Sequence, residues 1–253
     1  MGVNGDGGAM GEFEEFEEFE EFGEIGRVAG GAARPAAHIV WDWNGTLFHD
    51  MEAVLAATNA AFAEIGFAVG RVTLERYREL YCVPVPRFYE RLIGRLPSEA
   101  EWQVMDRAFQ QHYTLHKDHC ALTDGAEALL GEWGSGGHSQ SILSMYGHEE
   151  LVPLVRGFGI ERHFLRVDGR IGPSGGTKSE QMVRHLKELP DVDPARTVVI
   201  GDAVDDAVAA LGVGARAVLY TGGSHSRAAL EAVGVPVVDT LKEAVGEAAK
   251  VVA

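Results

Sequence analysis

The chain has 253 residues, is 46% hydrophobic and carries a formal net charge of −16. That is long enough for one large domain with a modest insertion and apolar enough for a real core. The acidic balance argues against nucleic acid or an anionic membrane as a bulk electrostatic partner. No run approaches 18 consecutive apolar residues, which excludes a spanning helix on sequence grounds.

Residues 1–36 hold nine acids against Arg27 and Arg34, a local balance of −7. Within them Phe13, Phe16, Phe19 and Phe22 recur every three residues among glutamates. On an α-helix each such step falls about 60° short of a turn, so the rings smear over half the cylinder. The tract reads as a disordered acidic tail, with a short partner-binding helix as the alternative, and residues 23–35 read as a linker. The acidic N-terminus lacks the apolar core of a secretory signal. Cys82 and Cys120 form neither a disulfide framework nor a metal spacing, so a reduced cytoplasmic setting is expected.

Residues 38–42 form an apolar run that ends on Asp42 and turns at Asn44-Gly45, the pattern of a buried strand followed by a tight turn. Apolar residues then recur at helical spacing from Met51 to Ile65, with further helices predicted over 72–80 and 87–93. Pro84 and Pro86 break the segment between these two helices. Ser98 with Glu101 is a capping box that opens a helix to about His116. Residues 50–120 are thus nearly all helix and resemble an insertion, not a sheet layer. The α/β alternation of residues 37–49 resumes at 121. Helices are expected at 124–133, 149–158, 177–189 and 206–211, then at 226–233 and from Thr240 on. Strands are expected at 140–145, 164–167, 197–202, 215–220 and 235–238. Strands alternating with helices imply a doubly wound parallel sheet, a Rossmann-like α/β core.

Two strands end in acids, Asp42 and Asp202, and a third ends at Ser144; Lys178 lies on the first turn of a helix, and Asp206 four residues after Asp202. Ligands of open α/β sheets sit outside the carboxyl ends of the strands. Carboxylates gathered there make a hard-oxygen site of the Mg²⁺ type, and a hydroxyl and an ammonium suit phosphate.

These residues resemble the motifs of the haloacid dehalogenase (HAD) superfamily. Asp42-Trp43-Asn44-Gly45-Thr46-Leu47-Phe48 is similar to its D-x-D-G-T-L motif, Ser144 to its second-motif Ser/Thr, Lys178 to its third-motif Lys, and Gly201-Asp202-Ala203-Val204-Asp205-Asp206 to its G-D-x-x-x-D. The helical block after the first motif resembles the small cap of the phosphoglycolate-phosphatase-like branch. The resemblance implies a Mg²⁺-dependent phosphatase acting on a small phosphorylated metabolite. It makes Asp42 the nucleophile and a metal ligand, and Asn44 a ligand through its carbonyl. Thr46, Ser144 and the backbone beside Ser144, at Met145, become phosphoryl-binding groups. Lys178 becomes the charge-neutralising residue, Asp202 a metal ligand, and Asp206 an outer ligand with Asp205 as its alternative.

Asn44 departs from the pattern. Relatives carry Asp there as the general acid/base, and an amide cannot exchange a proton near neutral pH. Losing that help costs on the order of 10²–10⁴ in rate. The enzyme is then slow, or selective for acidic leaving groups, or engaged in other chemistry, or a phosphate-ligand-binding protein without turnover. Dehalogenase and phosphomutase chemistry stay as alternatives; a Schiff-base phosphonatase is disfavoured because residues 50–115 contain no lysine. His49 is a candidate substitute acid. His112 and His116 have a metal-like i, i+4 spacing but no third ligand, and read as surface residues. Tyr81, Cys82 and Arg87 could face the site from the cap. Tyr146 and His148 could line the pocket. Gly222-Gly223 reads as a turn near the metal end.

Overall fold

The computed structural model describes residues 37–67, 71–172 and 176–250. The expected acidic tail and linker lie outside the described residues.

The central strand is β1, His38–Trp41, and all four residues are buried. It is flanked on both sides by parallel partners: β4 (Ser139–Gly147) pairs Trp41 with Ile142, and β6 (Thr197–Gly201) pairs Trp41 with Ile200. Beyond them lie β5 (Val167–Arg170), β7 (Arg216–Tyr220) and β8 (Val237–Val238), in the order β5-β4-β1-β6-β7-β8. A strand covered on both faces must be apolar on both, which is why β1 and β6 read as continuous apolar runs. Side chains alternate across the sheet. Ile39 and Trp41 join one core with α5 (Ala126–Ser135), α6 (His148–Gly157) and α10 (Leu241–Ala249). Val40 joins the other with α7 (Lys178–Lys187), α8 (Val204–Gly212) and α9 (Arg227–Glu231). The expected doubly wound α/β core is present.

Between β1 and β4 the chain forms α1 (Met51–Glu64), α2 (Leu74–Leu80), α3 (Val85–Ile93) and α4 (Glu99–Lys117), with an aromatic-rich core of Phe62, Tyr77, Phe88, Tyr89 and Met105. Ser98 and Glu101 form the expected capping box of α4. Two short strands bracket this block and pair antiparallel: β2 (Phe48–His49) and β3 (Ala121–Leu122), with Phe48 opposite Leu122. Two-residue strands carry no periodicity, so the sequence does not announce them. The strand expected over 164–167 is instead shifted to β5, because residues 161–163 form a 3₁₀ turn first. β4 also runs past Ser144 to Gly147.

A polar chain crosses the sheet interior. His38 Nδ1 and Nε2 meet Ser139 Oγ at 2.7 Å and Ser141 Oγ at 2.8 Å; Ser141 Oγ meets His185 Nε2 at 2.7 Å, and His185 Nδ1 meets Asp168 Oδ2 at 2.8 Å.

Candidate active site

The sheet order places the site. The chain leaves β1, fills one side through β4 and β5, then returns to the other side through β6, so β1 sits at the switch point where helices diverge. Asp42 extends the ladder by one residue, its N–H donating to Ile200 O at 2.8 Å. The turn after it is anchored by two buried rings, Trp43 and Phe48, stacked at 5.2 Å. Gly45 occupies a left-handed conformation (φ 71°), and a Cβ there would meet Asp202 Oδ2 at 2.8 Å. The Asn44-Gly45 turn therefore has a steric reason: the second acid-bearing loop lies directly against it.

Asp42, Asp202 and Asp206 converge, with one oxygen of each within 4.8 Å of the others. Each is nearly closed off from solvent, at 7%, 4% and 1% exposure. Asp202 Oδ2 accepts from both the N–H and the hydroxyl of Ser224 at 2.6 Å, and Thr46 Oγ1 donates to Oδ1 at 3.3 Å. Asp206 sits in the first turn of α8, where its Oδ2 accepts from Ala203 N–H at 2.9 Å. Lys178 is the first residue of α7, fixed by the Thr177–Glu180 capping box, and its ammonium contacts both Asp42 and Asp206.

The electrostatics of this group are lopsided: three carboxylates face one ammonium. Burial works against the charged form of Lys178, but Asp206 and Asp42 overcome it and hold the amine above its ordinary range. Burial, opposed by Lys178 and reinforced by Asp206 and Asp202, holds Asp42 well above the usual carboxylate range. Burial and Asp206 push Asp202 up to about 6 against the Ser224 hydrogen bonds. One further cation would relieve this excess, and an all-oxygen donor set suits a hard divalent ion such as Mg²⁺.

The amide nitrogen of Asn44 is engaged outside that cluster. Its Nδ2 donates to Asp50 Oδ2 and to Tyr113 OH, both at 2.8 Å. Asp50 stands at the N-cap of α1 without capping it; its Oδ1 instead accepts from Gly45 N–H at 2.9 Å. Burial raises the Asp50 carboxyl, against the hydrogen bonds of Asn44, Tyr113 and Gly45.

The structure thus brings Asp42, Thr46, Lys178, Asp202 and Asp206 into mutual contact. Ser144 is buried on the strand beside β1, and its Oγ accepts from Tyr146 N–H at 3.1 Å. Met145 is half-buried, its carbonyl accepting from Arg170 at 3.3 Å. Neither Ser144 nor Met145 makes a hydrogen bond to the carboxylate cluster. His49, the candidate substitute acid, is exposed on β2. His112 and His116 join no metal-competent cluster among the described residues; His116 lines a cavity of about 510 Å³ with Glu52, Arg71, His119 and Cys120. The Gly222-Gly223 turn is more than a turn. Gly223 lies so close to Asp202 that a Cβ would sit 2.0 Å from Oδ2. Arg78 of α2 donates to Gly222 O at 2.7 Å and Gly223 O at 2.8 Å, and Tyr81 lies edge-on to His225 at 4.9 Å. Asp50, Tyr113, Ser224 and Arg78 escaped sequence reasoning. Asp50 looks like an ordinary helix start, and the other three become site residues only by folding.

The chain is similar to known proteins. The family model "Hydrolase: haloacid dehalogenase-like hydrolase" matches residues 36–214. A phosphoglycolate phosphatase from Thiobacillus denitrificans is 26% identical over 186 residues, covering 71% of this chain and 81% of that protein. A 5'-nucleotidase from Pseudomonas aeruginosa is 23% identical over 190 residues, covering 72% and 85%. The crystal structure of a predicted phosphatase from Clostridium acetobutylicum superposes with a TM-score of 0.71 at 17% identity, covering 85% of this chain and 98% of that one. With the family match spanning most of the fold and all the acid-bearing loops, the chain belongs to the haloacid dehalogenase-like hydrolases.

Proposed function

We propose that the protein hydrolyses a small phosphate monoester in a Mg²⁺-dependent reaction that passes a phosphoryl group through Asp42. The observation that carries this reading is the setting of Asp42: a nearly closed-off carboxylate at the end of the central strand, in contact with Lys178 and beside Asp202 and Asp206. The relatives named for phosphoglycolate and 5'-nucleotide chemistry support a phosphate-bearing metabolite as substrate.

Asp42 and Asp202, with the Asn44 carbonyl, would hold the ion, and Asp206 would back them from the first turn of α8. When bound, Mg²⁺ supplies positive charge for the phosphoryl oxygens. The chain does the rest. An oxygen of Asp42 attacks phosphorus as the bond to the departing oxygen breaks, and water later cleaves the acyl phosphate and restores Asp42. Lys178 balances charge on Asp42 and the phosphoryl group in both steps. Thr46 and Ser144, with the backbone at Met145, bind phosphoryl oxygens. Helices α1–α4 act as a cap, and Arg78 ties α2 to the loop that holds Asp202, so closure and metal-site order are linked. The setting is the reduced cytoplasm, with no nucleic-acid or membrane partner.

The test is release of p-nitrophenol from p-nitrophenyl phosphate with and without Mg²⁺, with Asp42→Asn as the blank. Turnover that needs Mg²⁺ and vanishes in Asp42→Asn is expected. A wild type no faster than the blank would overturn the reading in favour of a phosphate-ligand-binding protein, which the occupied amide protons of Asn44 favour.

A further inference from the structure

Asn44, Asp50 and Tyr113 close a three-membered hydrogen-bond ring. Asn44 Nδ2 reaches Asp50 Oδ2 and Tyr113 OH at 2.8 Å, and Tyr113 OH donates to the same Asp50 oxygen at 2.7 Å. Asp50 is wholly buried and Tyr113 nearly so. The other Asp50 oxygen is taken by Gly45 N–H, which fixes the carboxylate relative to the turn. Tyr113 comes from the C-terminal end of α4, so the ring joins the first strand–turn unit to the last helix of the insertion.

The ring dictates what residue 44 can offer. Turned the other way, the amide would set its oxygen against a carboxylate oxygen at hydrogen-bond distance, with no proton between them. A buried acceptor facing an acceptor leaves both without a proton, and the penalty grows when one is charged. The amide is therefore held with its nitrogen inward. Both of its protons are spent, on Asp50 and on Tyr113. Asn44 Oδ1 takes no hydrogen bond from any described residue, and Asn44 is only half-buried.

We propose that Asp50 and Tyr113 are positioning residues that lock Asn44 as a hydrogen-bond acceptor without a donor, and that the site in consequence selects phosphate donors whose departing oxygen needs no proton: aryl phosphates, acyl phosphates and mixed anhydrides. This rests on the phosphatase reading, which places residue 44 beside the departing oxygen. In the first step Asp42 bonds to phosphorus, and the leaving group departs with the bond's electron pair as an anion. In the second, water adds to phosphorus and the acyl phosphate bond breaks back to the Asp42 carboxylate. Both water protons stay on the phosphate, which leaves as H₂PO₄⁻. Asn44 Oδ1 can orient that water by accepting one O–H, and nothing at position 44 can protonate the leaving group.

The experiment is a leaving-group series at saturating Mg²⁺: acetyl phosphate, aryl phosphates of graded phenol acidity, and an alkyl phosphate, for wild type, Asp50→Asn and Tyr113→Phe, with far-UV circular dichroism to verify folding. Wild-type kcat/KM falls steeply as the leaving group becomes more basic, by at least 10²-fold from p-nitrophenyl to alkyl phosphate. Asp50→Asn removes the carboxylate that holds the nitrogen inward, so the amide can flip and turn its protons outward, whereas Tyr113→Phe removes one acceptor and leaves Asp50 in place. Asp50→Asn therefore flattens the series about tenfold and Tyr113→Phe less, while a purely structural residue would lower every substrate alike. A side-chain amide NMR spectrum of the free protein gives a second readout, with slowly exchanging Asn44 protons in wild type and fast exchange in Tyr113→Phe. Wild type active on the whole series with no slope would overturn the selectivity, and a folded Asp50→Asn that keeps the wild-type slope would overturn the positioning role, with the phosphatase reading standing in both cases. No turnover by wild type above Asp42→Asn would instead overturn the phosphatase reading and the selectivity with it.

Discussion

His38 begins the strand that ends on Asp42, and its ring is buried neutral. Its Nδ1 meets Ser139 Oγ at 2.7 Å and its Nε2 meets Ser141 Oγ at 2.8 Å, and a hydroxyl can donate to one nitrogen and accept from the other. The His38 ring is therefore satisfied without charge. A proton on His38 would put a cation among buried serines, with no carboxylate in contact. Burial, reinforced by His185, accordingly lowers His38 from 6.5 to about 3. A base with a depressed folded value leaves stability intact above 6.5. As pH falls from 6.5 toward 3, the unfolded chain takes up a proton that the fold refuses, and stability is lost. The slope is about 1.4 kcal/mol per pH unit, so His38 costs the fold about 2 kcal/mol by about pH 5. Asp202 works in the opposite direction over the upper part of this range, because its folded value is raised to about 6, but it does so equally in any His38 variant. Urea unfolding of wild type and His38→Gln, each near pH 7.5 and near pH 5 in EDTA, isolates the histidine. Wild type is expected to lose about 2 kcal/mol more than His38→Gln between the two conditions. Parallel losses in the two proteins would refute the buried neutral ring.

Three further outcomes follow from the site. Gly223→Ala forces Asp202 to move, because the new Cβ would lie 2.0 Å from its Oδ2 and 2.3 Å from its Cβ; Mg²⁺-dependent turnover should fall about 10²-fold, the effect of an ångström's misplacement at a reacting centre, and thermal unfolding should shift to lower temperature. Lys178→Met removes the cation facing Asp42 and Asp206. In EDTA it should cost about 3–5 kcal/mol in urea unfolding, and Mg²⁺ should recover part of that loss; equal losses with and without Mg²⁺ would argue that the ion does not bind these carboxylates. Arg78→Ala cuts both guanidinium bonds to the Gly222-Gly223 carbonyls, so amide hydrogen exchange over 222–226 should accelerate. Arg78→Lys should rescue it only in part, since one ammonium lacks the planar fork.

Features written in local pattern were readable from the chain alone. Apolar runs stopped by acids marked β1 and β6, capping boxes fixed the starts of α4, α7 and α10, and spacing brought Asp42, Lys178, Asp202 and Asp206 to strand ends and helix starts. These features are short-range, so backbone physics writes them into consecutive residues. The β2–β3 pair was hidden because two-residue strands have no period and exist only through each other, with Phe48 opposite the sequence-distant Leu122. The fate of Asn44 was hidden for a related reason. Sequence shows that an acid is missing at position 44, but only folding sets Asp50 beneath the turn and carries Tyr113 to it from 69 residues away. Likewise Ser224 and Arg78 gain meaning only where the Gly222-Gly223 loop, with no side chains to keep it off, settles onto Asp202. The candidate reacting groups were legible because chemistry restricts their type and spacing. The groups that orient them were not, because any residue that reaches the right place can orient another, and reach is a property of the tertiary structure.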